Sequence, residues 1–203
     1  MNKRQFLAGA AGSMLSATAL KAHAAVGESS LSPLAGAAMP VVLTVSGAIH
    51  RTNRGPIEAA RDQMMYKQGV KFAGAFEYDF ATLAALPKVT IKPTLEYDNQ
   101  PHALSGPLVT DVLADVGATL GDTSKILFRA VDGYNVMPDL VMIQTYRFIL
   151  ATHLDGEPIS IGGLGPLWAV YDADAFPDMA AKPLKERFPL FPWGVYQIEV
   201  VNV

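Results

Sequence analysis

The sequence predicts a mixed α+β domain rich in β-strand. Three observations carry this: short runs with period-two apolar alternation recur from residue 40 onward, the helical stretches between them are brief and bracketed by Gly or Pro, and strands and helices do not alternate as a doubly wound sheet requires. No internal repeat is visible.

Taken in order, residues 40–49 (PVVLTVSGAI) read as a first strand, with Val41, Leu43 and Val45 on one face and Val42, Thr44 and Ser46 on the other. Pro56 at a first helical position and Gly69 just past the end bracket IEAARDQMMYKQ as a helix, with Ile57, Ala60 and Met64 on one side. Asp79 caps a short helical stretch, FATLAAL, that spaces Leu83 and Leu86 three apart and stops at Pro87. KVTIKPTLEY follows as a strand. Ser105-Gly106-Pro107 opens another helix, whose apolar face is Leu108, Val112, Leu113 and Val116, with Asp111 and Asp115 pointing away and Gly117 ending it. The rest is strand: 125–131 up to the Asp132-Gly133 turn, 147–153 up to Asp155-Gly156, 167–171, and 196–203, where Tyr196, Ile198 and Val200 face in and Gln197 and Glu199 face out.

Ahead of this domain, Lys3 and Arg4 precede an Ala/Gly/Leu-rich run that ends near Leu20 and leads to Ala22-His23-Ala24, an A-x-A cleavage pattern. The run is diluted by Gly9, Gly12, Ser13, Ser16 and Thr18 and is shorter than the roughly 20 apolar residues of a membrane span. Residues 1–24 are therefore expected to be a signal peptide cut after Ala24, 25–39 a Ser/Ala/Gly/Pro-rich linker, and 40–203 the domain, which places the mature protein in the periplasm.

Losing Lys3, Arg4 and Lys21 reduces the 16 basic residues to 13 against 19 acidic ones, so the mature net charge is −6 and a nucleic acid partner is disfavoured. The chain has no cysteine, which removes disulfides, thiol catalysis and thiolate metal ligands together.

No G-x-S-x-G, H-E-x-x-H or Walker A pattern is present. His50, His102 and His153 are too scattered for metal-ligand spacing, and Asp172, Asp174 and Asp178 lack the Gly and Glu of a calcium loop and read as a solvated acidic turn. The loop Gly162-Gly163-Leu164-Gly165-Pro166 leads into the strand-like run LWAVY, so it is no dinucleotide fingerprint. It reads either as a hairpin connection or as backbone amides held open for a flat polar ligand. Trp168 and Trp193, the two tryptophans, each stand beside Gly or Pro and read either as core or as an aromatic wall.

The segments LAALPKVTI, HALSGPLVTDVLADVG, FRAVDGY, GPLWAVYDAD and WGVYQIEV, in that order over residues 41–203, resemble the molybdopterin-binding domain of the sulfite oxidase family, and especially its small, exported, single-domain pterin-binding members. The resemblance implies a β-rich α+β fold with short peripheral helices and a pterin pocket. NKRQFL is similar to a twin-arginine export motif, with Lys3 in place of the first arginine. Catalytic members of the family hold molybdenum through a cysteine just before the helix expected at Pro107. Here that stretch reads TLEYDNQPHALSG, which disfavours molybdenum and redox catalysis. The small pterin binders carry a basic residue before Gly-Pro and an Arg-Ser pair near the last tryptophan, where this chain has Leu164 and FPLFPWG.

What the resemblance implies for ligand contacts falls on seven residues. Trp168 and Trp193 would stack on a pterin or molybdopterin-type ligand, Asp132 and the loop amides around Gly165 would meet its polar edge, His102 and Tyr134 would orient it, and Tyr97 is a further contact from the stretch that lacks the cysteine. Three readings stand: a periplasmic pterin binder that serves a membrane-bound sensor or redox partner, a molybdopterin-dependent oxidoreductase with an atypical metal site, and a ligand-free interaction module.

Overall fold

The first and last strands of the domain lie side by side at the centre of its largest sheet. The computed structural model describes residues 39–188 and 190–202, so the signal peptide and all but the last residue of the linker expected above lie outside the described residues. In chain order the elements are β1 (Val41–Gly47), α1 (Gln63–Lys67), β2 (Phe76–Asp79), α2 (Phe80–Ala84), β3 (Lys88–Ile91), β4 (Leu104–Pro107), α3 (Val109–Asp115), β5 (Lys125–Ala130), β6 (Asn135–Val136), α4 (Leu140–Thr145), β7 (Ile149–Ala151), β8 (His153–Leu154), β9 (Glu157–Pro158), β10 (Trp168–Val170), α5 (Pro177–Ala180) and β11 (Val195–Val201).

Strands and short helices mix without βαβ order, so the α+β class holds. One sheet runs β2-β1-β11-β5-β6, with β1 and β11 parallel and the other pairs antiparallel. A second runs β3-β4-β8-β9, and β7 pairs with β10 in a third. Leu43, Val45, Ile126, Phe128, Ile198 and Val200 of the large sheet join Val112, Leu113 and Ile143 of the helices in one core.

The central position of β1 and β11 overrides a simple in/out alternation. Gln197, expected to face solvent, is 0% exposed. It donates to Ser46 Oγ at 2.8 Å and accepts from Arg129 at 2.5 Å, and Arg129 also pairs with Glu199 at 2.7 Å. A strand flanked on both sides by other strands and covered on both faces needs its polar groups paired internally, and this network does so.

Two expected helices are corrected. Of IEAARDQMMYKQ only Gln63–Lys67 is helical, because Asp62 turns back to accept Arg54 at 2.6 Å and the Glu58 amide at 2.8 Å. None of α1 is buried, so no apolar face sustains a longer helix. Ser105-Gly106-Pro107 belongs to β4, paired with Lys88–Thr90, and the helix begins at Val109. Gly106 is the reason: a Cβ there would lie 2.0 Å from the Leu150 carbonyl oxygen, so this position lets β4 and β7 pack backbone to backbone. The buried face of α3 is Val109, Val112 and Leu113 with Val116 at its end, so Leu108, expected on that face, instead precedes the helix and is half-buried, and Asp115, expected to point away, accepts the Tyr78 hydroxyl at 2.5 Å and Arg51 at 2.6 Å.

Asp79 does cap α2, accepting the Thr82 amide at 2.7 Å. The strand expected over KVTIKPTLEY ends at Ile91, and the expected acidic turn is the cause. Asp172 and Asp174 accept the Lys92 and Thr94 amides, at 3.3 and 2.7 Å, drawing the chain away from the sheet. Arg187 completes the staple on Asp174 at 2.6 Å.

Candidate functional site

Three loops from distant parts of the sequence converge beside β10. The first spans Thr94 to Pro101, which are bridged to each other, and the Leu95 amide donates to the Gln100 carbonyl at 2.9 Å, so Glu96 and Tyr97 project from a closed turn. Asp98 at its tip accepts from His102 Nε2 at 2.8 Å, and His102 Nδ1 reaches Asp155 at 2.6 Å in the β8–β9 turn. The Asp155 carboxylate also accepts the Ala103 amide at 2.9 Å. His102 is therefore a clamp between the loop and the sheet, and contact with the two carboxylates, Asp155 first, raises its pKa while it lowers theirs.

The second loop is the turn after β5. Asp132 Oδ1 accepts the Tyr134 amide at 2.9 Å, and the Ala130 amide donates to the Tyr134 carbonyl, which fixes both side chains on the turn. The third is the run before β11, tied to the fold by the Ala169 amide on the Pro192 carbonyl and the Val131 amide on the Gly194 carbonyl. Trp168 and Trp193 form a β-bridge, and Trp168 Nε1 donates to the Phe191 carbonyl at 3.2 Å.

Between these loops lies a cleft of about 300 Å³. Five of the seven residues singled out in the sequence line it: Tyr97, Asp132, Tyr134, Trp168 and Trp193. Glu96, Phe188 and Phe191 join the lining, so among the described residues six aromatic rings and two carboxylates surround it with no Lys, Arg or His. Tyr97 is 57% exposed, Tyr134 45% and Trp193 37%, whereas Trp168 is 2% exposed and forms the floor under Tyr97, ring centroids 6.4 Å apart. The Tyr97 hydroxyl is held up in pKa first by burial and then by Glu96, and a hydrogen bond from the Trp193 indole opposes both.

Gly165 and His102 are not among the lining residues. A Cβ at Gly165 would sit 2.3 Å from the Ile159 carbonyl oxygen, so this glycine is needed for backbone packing. The Gly163 and Gly165 amides both donate to the Ser160 carbonyl, and the Leu164 carbonyl accepts the Gly194 amide. Those two amides close the loop on Ser160 and are not held open for a ligand, and the loop carries the chain from β9 of one sheet to β10 of another, so it is a crossover and not the expected hairpin connection.

The sequence reading missed Glu96, Phe188 and Phe191. Glu96 adjoins Tyr97, and the density of aromatics in FPLFPW was the available signal for the other two. Two further cavities carry ion pairs of their own, and beside the second Thr44 Oγ1 and Arg54 Nε have no hydrogen-bond partner among the described residues. One, of about 510 Å³, presents Tyr78, Arg51 and Asp115 already bonded to each other, and one of about 400 Å³ borders Arg54, already paired with Asp62 and Glu77. Among the described residues no helix is long and apolar enough to cross a membrane.

No family model and no curated protein matches the chain. Among solved structures, the sulfane dehydrogenase SoxCD from Paracoccus pantotrophus is similar, with a TM-score of 0.50 at 11% identity over 79% of this chain and 38% of that one. The chain thus spans well under half the length of that neighbour, and at this identity the likeness carries a distantly shared fold alone.

Proposed function

We propose that this chain is an exported protein that holds a pterin-type heterocycle in the cleft between Tyr97, Tyr134 and Trp193, with no redox chemistry of its own. The observation that carries this reading is the convergence of exposed aromatic rings from three loops over a Trp168 floor, with the Asp132 carboxylate at the edge. A flat ring gains stacking area on the aromatic walls. Asp132 uses one oxygen on the Tyr134 amide, and its other oxygen has no hydrogen-bond partner among the described residues, which suits an acceptor for a ring N–H edge. The distant fold likeness to a sulfane dehydrogenase agrees with the sequence resemblance to the sulfite oxidase family and supports a molybdopterin-related ancestry for the pocket.

The full molybdenum cofactor fits these residues poorly. In the family that the resemblance names, a cysteine thiolate joins the dithiolene sulfurs on the metal, and the chain has no cysteine. Among the described residues no group of three or more His, Asp or Glu is placed to hold a metal. Export follows from the signal pattern of residues 1–24, and a membrane-bound sensor or redox protein in the periplasm is the partner that would read the occupied cleft.

Protein purified from the periplasm tests the reading when pterin fluorescence and molybdenum are measured in the same sample. Pterin without stoichiometric molybdenum is expected. Stoichiometric molybdenum would establish the oxidoreductase reading instead, and a protein that carries no pterin and takes up none when it is added would be the interaction module.

A further inference from the structure

We infer that the cleft selects its ligand by charge: it takes a pterin-type ring that is neutral or cationic and carries no phosphate, and it rejects the phosphorylated form that the family's cofactor uses. The inference rests on the pterin reading of the same cleft and adds the class of ligand.

Three features of the lining lead to it. Glu96 and Asp132 are both in the wall, and among the described residues no Lys, Arg or His lines the cleft beside them. Neither carboxylate has a salt-bridge partner among the described residues, whereas of the acids around the other two cavities Asp115, Asp62 and Glu77 are each paired with an arginine and Asp79 is engaged in capping Thr82. Phosphate is bound in proteins by Arg or Lys forks or by open backbone amides, and in the nearby glycine loop the Gly163 and Gly165 amides are spent on Ser160. The exposed faces of Tyr97, Tyr134 and Trp193 add to the same bias, because an aromatic face is the negative end of the ring quadrupole and attracts cations.

The test compares two ligands with one ring: 6-hydroxymethylpterin and its monophosphate, titrated against the exported protein at low and high salt. The neutral compound is expected to bind at least about tenfold more tightly, from like-charge repulsion at close range. The gap should narrow in high salt. It should also narrow in the E96Q/D132N double variant, whose fold is checked by its far-UV circular dichroism and melting temperature. Equal affinity for the two ligands, or tighter binding of the monophosphate, overturns the charge inference and leaves the pterin reading standing. A gap that persists unchanged in the folded double variant also overturns it. Failure of both ligands to bind overturns the pterin reading and the inference with it.

Discussion

Trp168 and Trp193 are bridged through their backbones, yet one is 2% and the other 37% exposed, so replacing them has different consequences. Trp168→Ala should cost about 3–5 kcal/mol of stability, as loss of a large buried ring does, and would mix folding with binding. Trp193→Ala keeps the floor and removes the wall. It should weaken pterin binding about 2- to 10-fold, with a much smaller drop in melting temperature than Trp168→Ala, read by titration and thermal unfolding together. Gly165→Ala is expected to destabilise by about 1–3 kcal/mol, since its new methyl meets the Ile159 carbonyl at 2.3 Å; an unchanged melting temperature would show that the loop yields. At this scale the sequence was informative where aromatics and turn residues coincide, as at Asp132, Tyr134 and Trp193. It misplaced Gln197 on the solvent face, because a polar residue in a strand gives no sign of whether Ser46 and Arg129 will be there to satisfy it.

The Tyr97 loop is the element whose behaviour depends on pH. His102 joins Asp98 to Asp155, and both contacts are complete when the imidazole carries two protons. Its folded pKa is raised, so the clamp contributes fully below the unfolded value near pH about 6.5, and its contribution is lost as pH rises through the raised value. Asp98 and Asp155 are lowered, so their contribution is present above the ordinary carboxylate range and is lost as pH falls through their lowered values. Amide exchange at 95–101 should therefore be slowest in mildly acidic solution and speed up as pH rises past the His102 titration, after correction for intrinsic exchange. His102→Ala should abolish that dependence. Elements bounded by strong local signals, such as the Asp79 cap and the Gly117 stop, were legible in the sequence. The helix begun too early at Ser105 was not, because the signal Ser-Gly-Pro is shared by helix starts and by a strand whose glycine admits a neighbouring backbone.

For the whole molecule, the parallel pairing of β1 with β11 means that the domain closes only when its last strand arrives. Truncation before Val195 removes the partner of both β1 and β5 and should abolish cooperative unfolding, whereas an intact core without β11 would contradict the central role of that strand. Such long-range pairing was invisible in the sequence, although the strands themselves were readable, because period-two alternation identifies a strand but not its neighbours. The cleft depends on the same closure, since β11 begins directly after Trp193 and Gly194. The proposed export is tested on the full chain as well: the mature protein should begin at Ala25, as read by intact mass.

The claim that matters most is that the cleft binds a pterin-type ring, and the chain supplies its own reporter, because its two tryptophans both line that cleft. Titration of 6-hydroxymethylpterin into the exported protein should quench tryptophan fluorescence to saturation, with the affinity reduced in Tyr97→Ala. Absence of saturable quenching in the folded protein, or saturation with the same affinity in Tyr97→Ala and Trp193→Ala, would contradict the account.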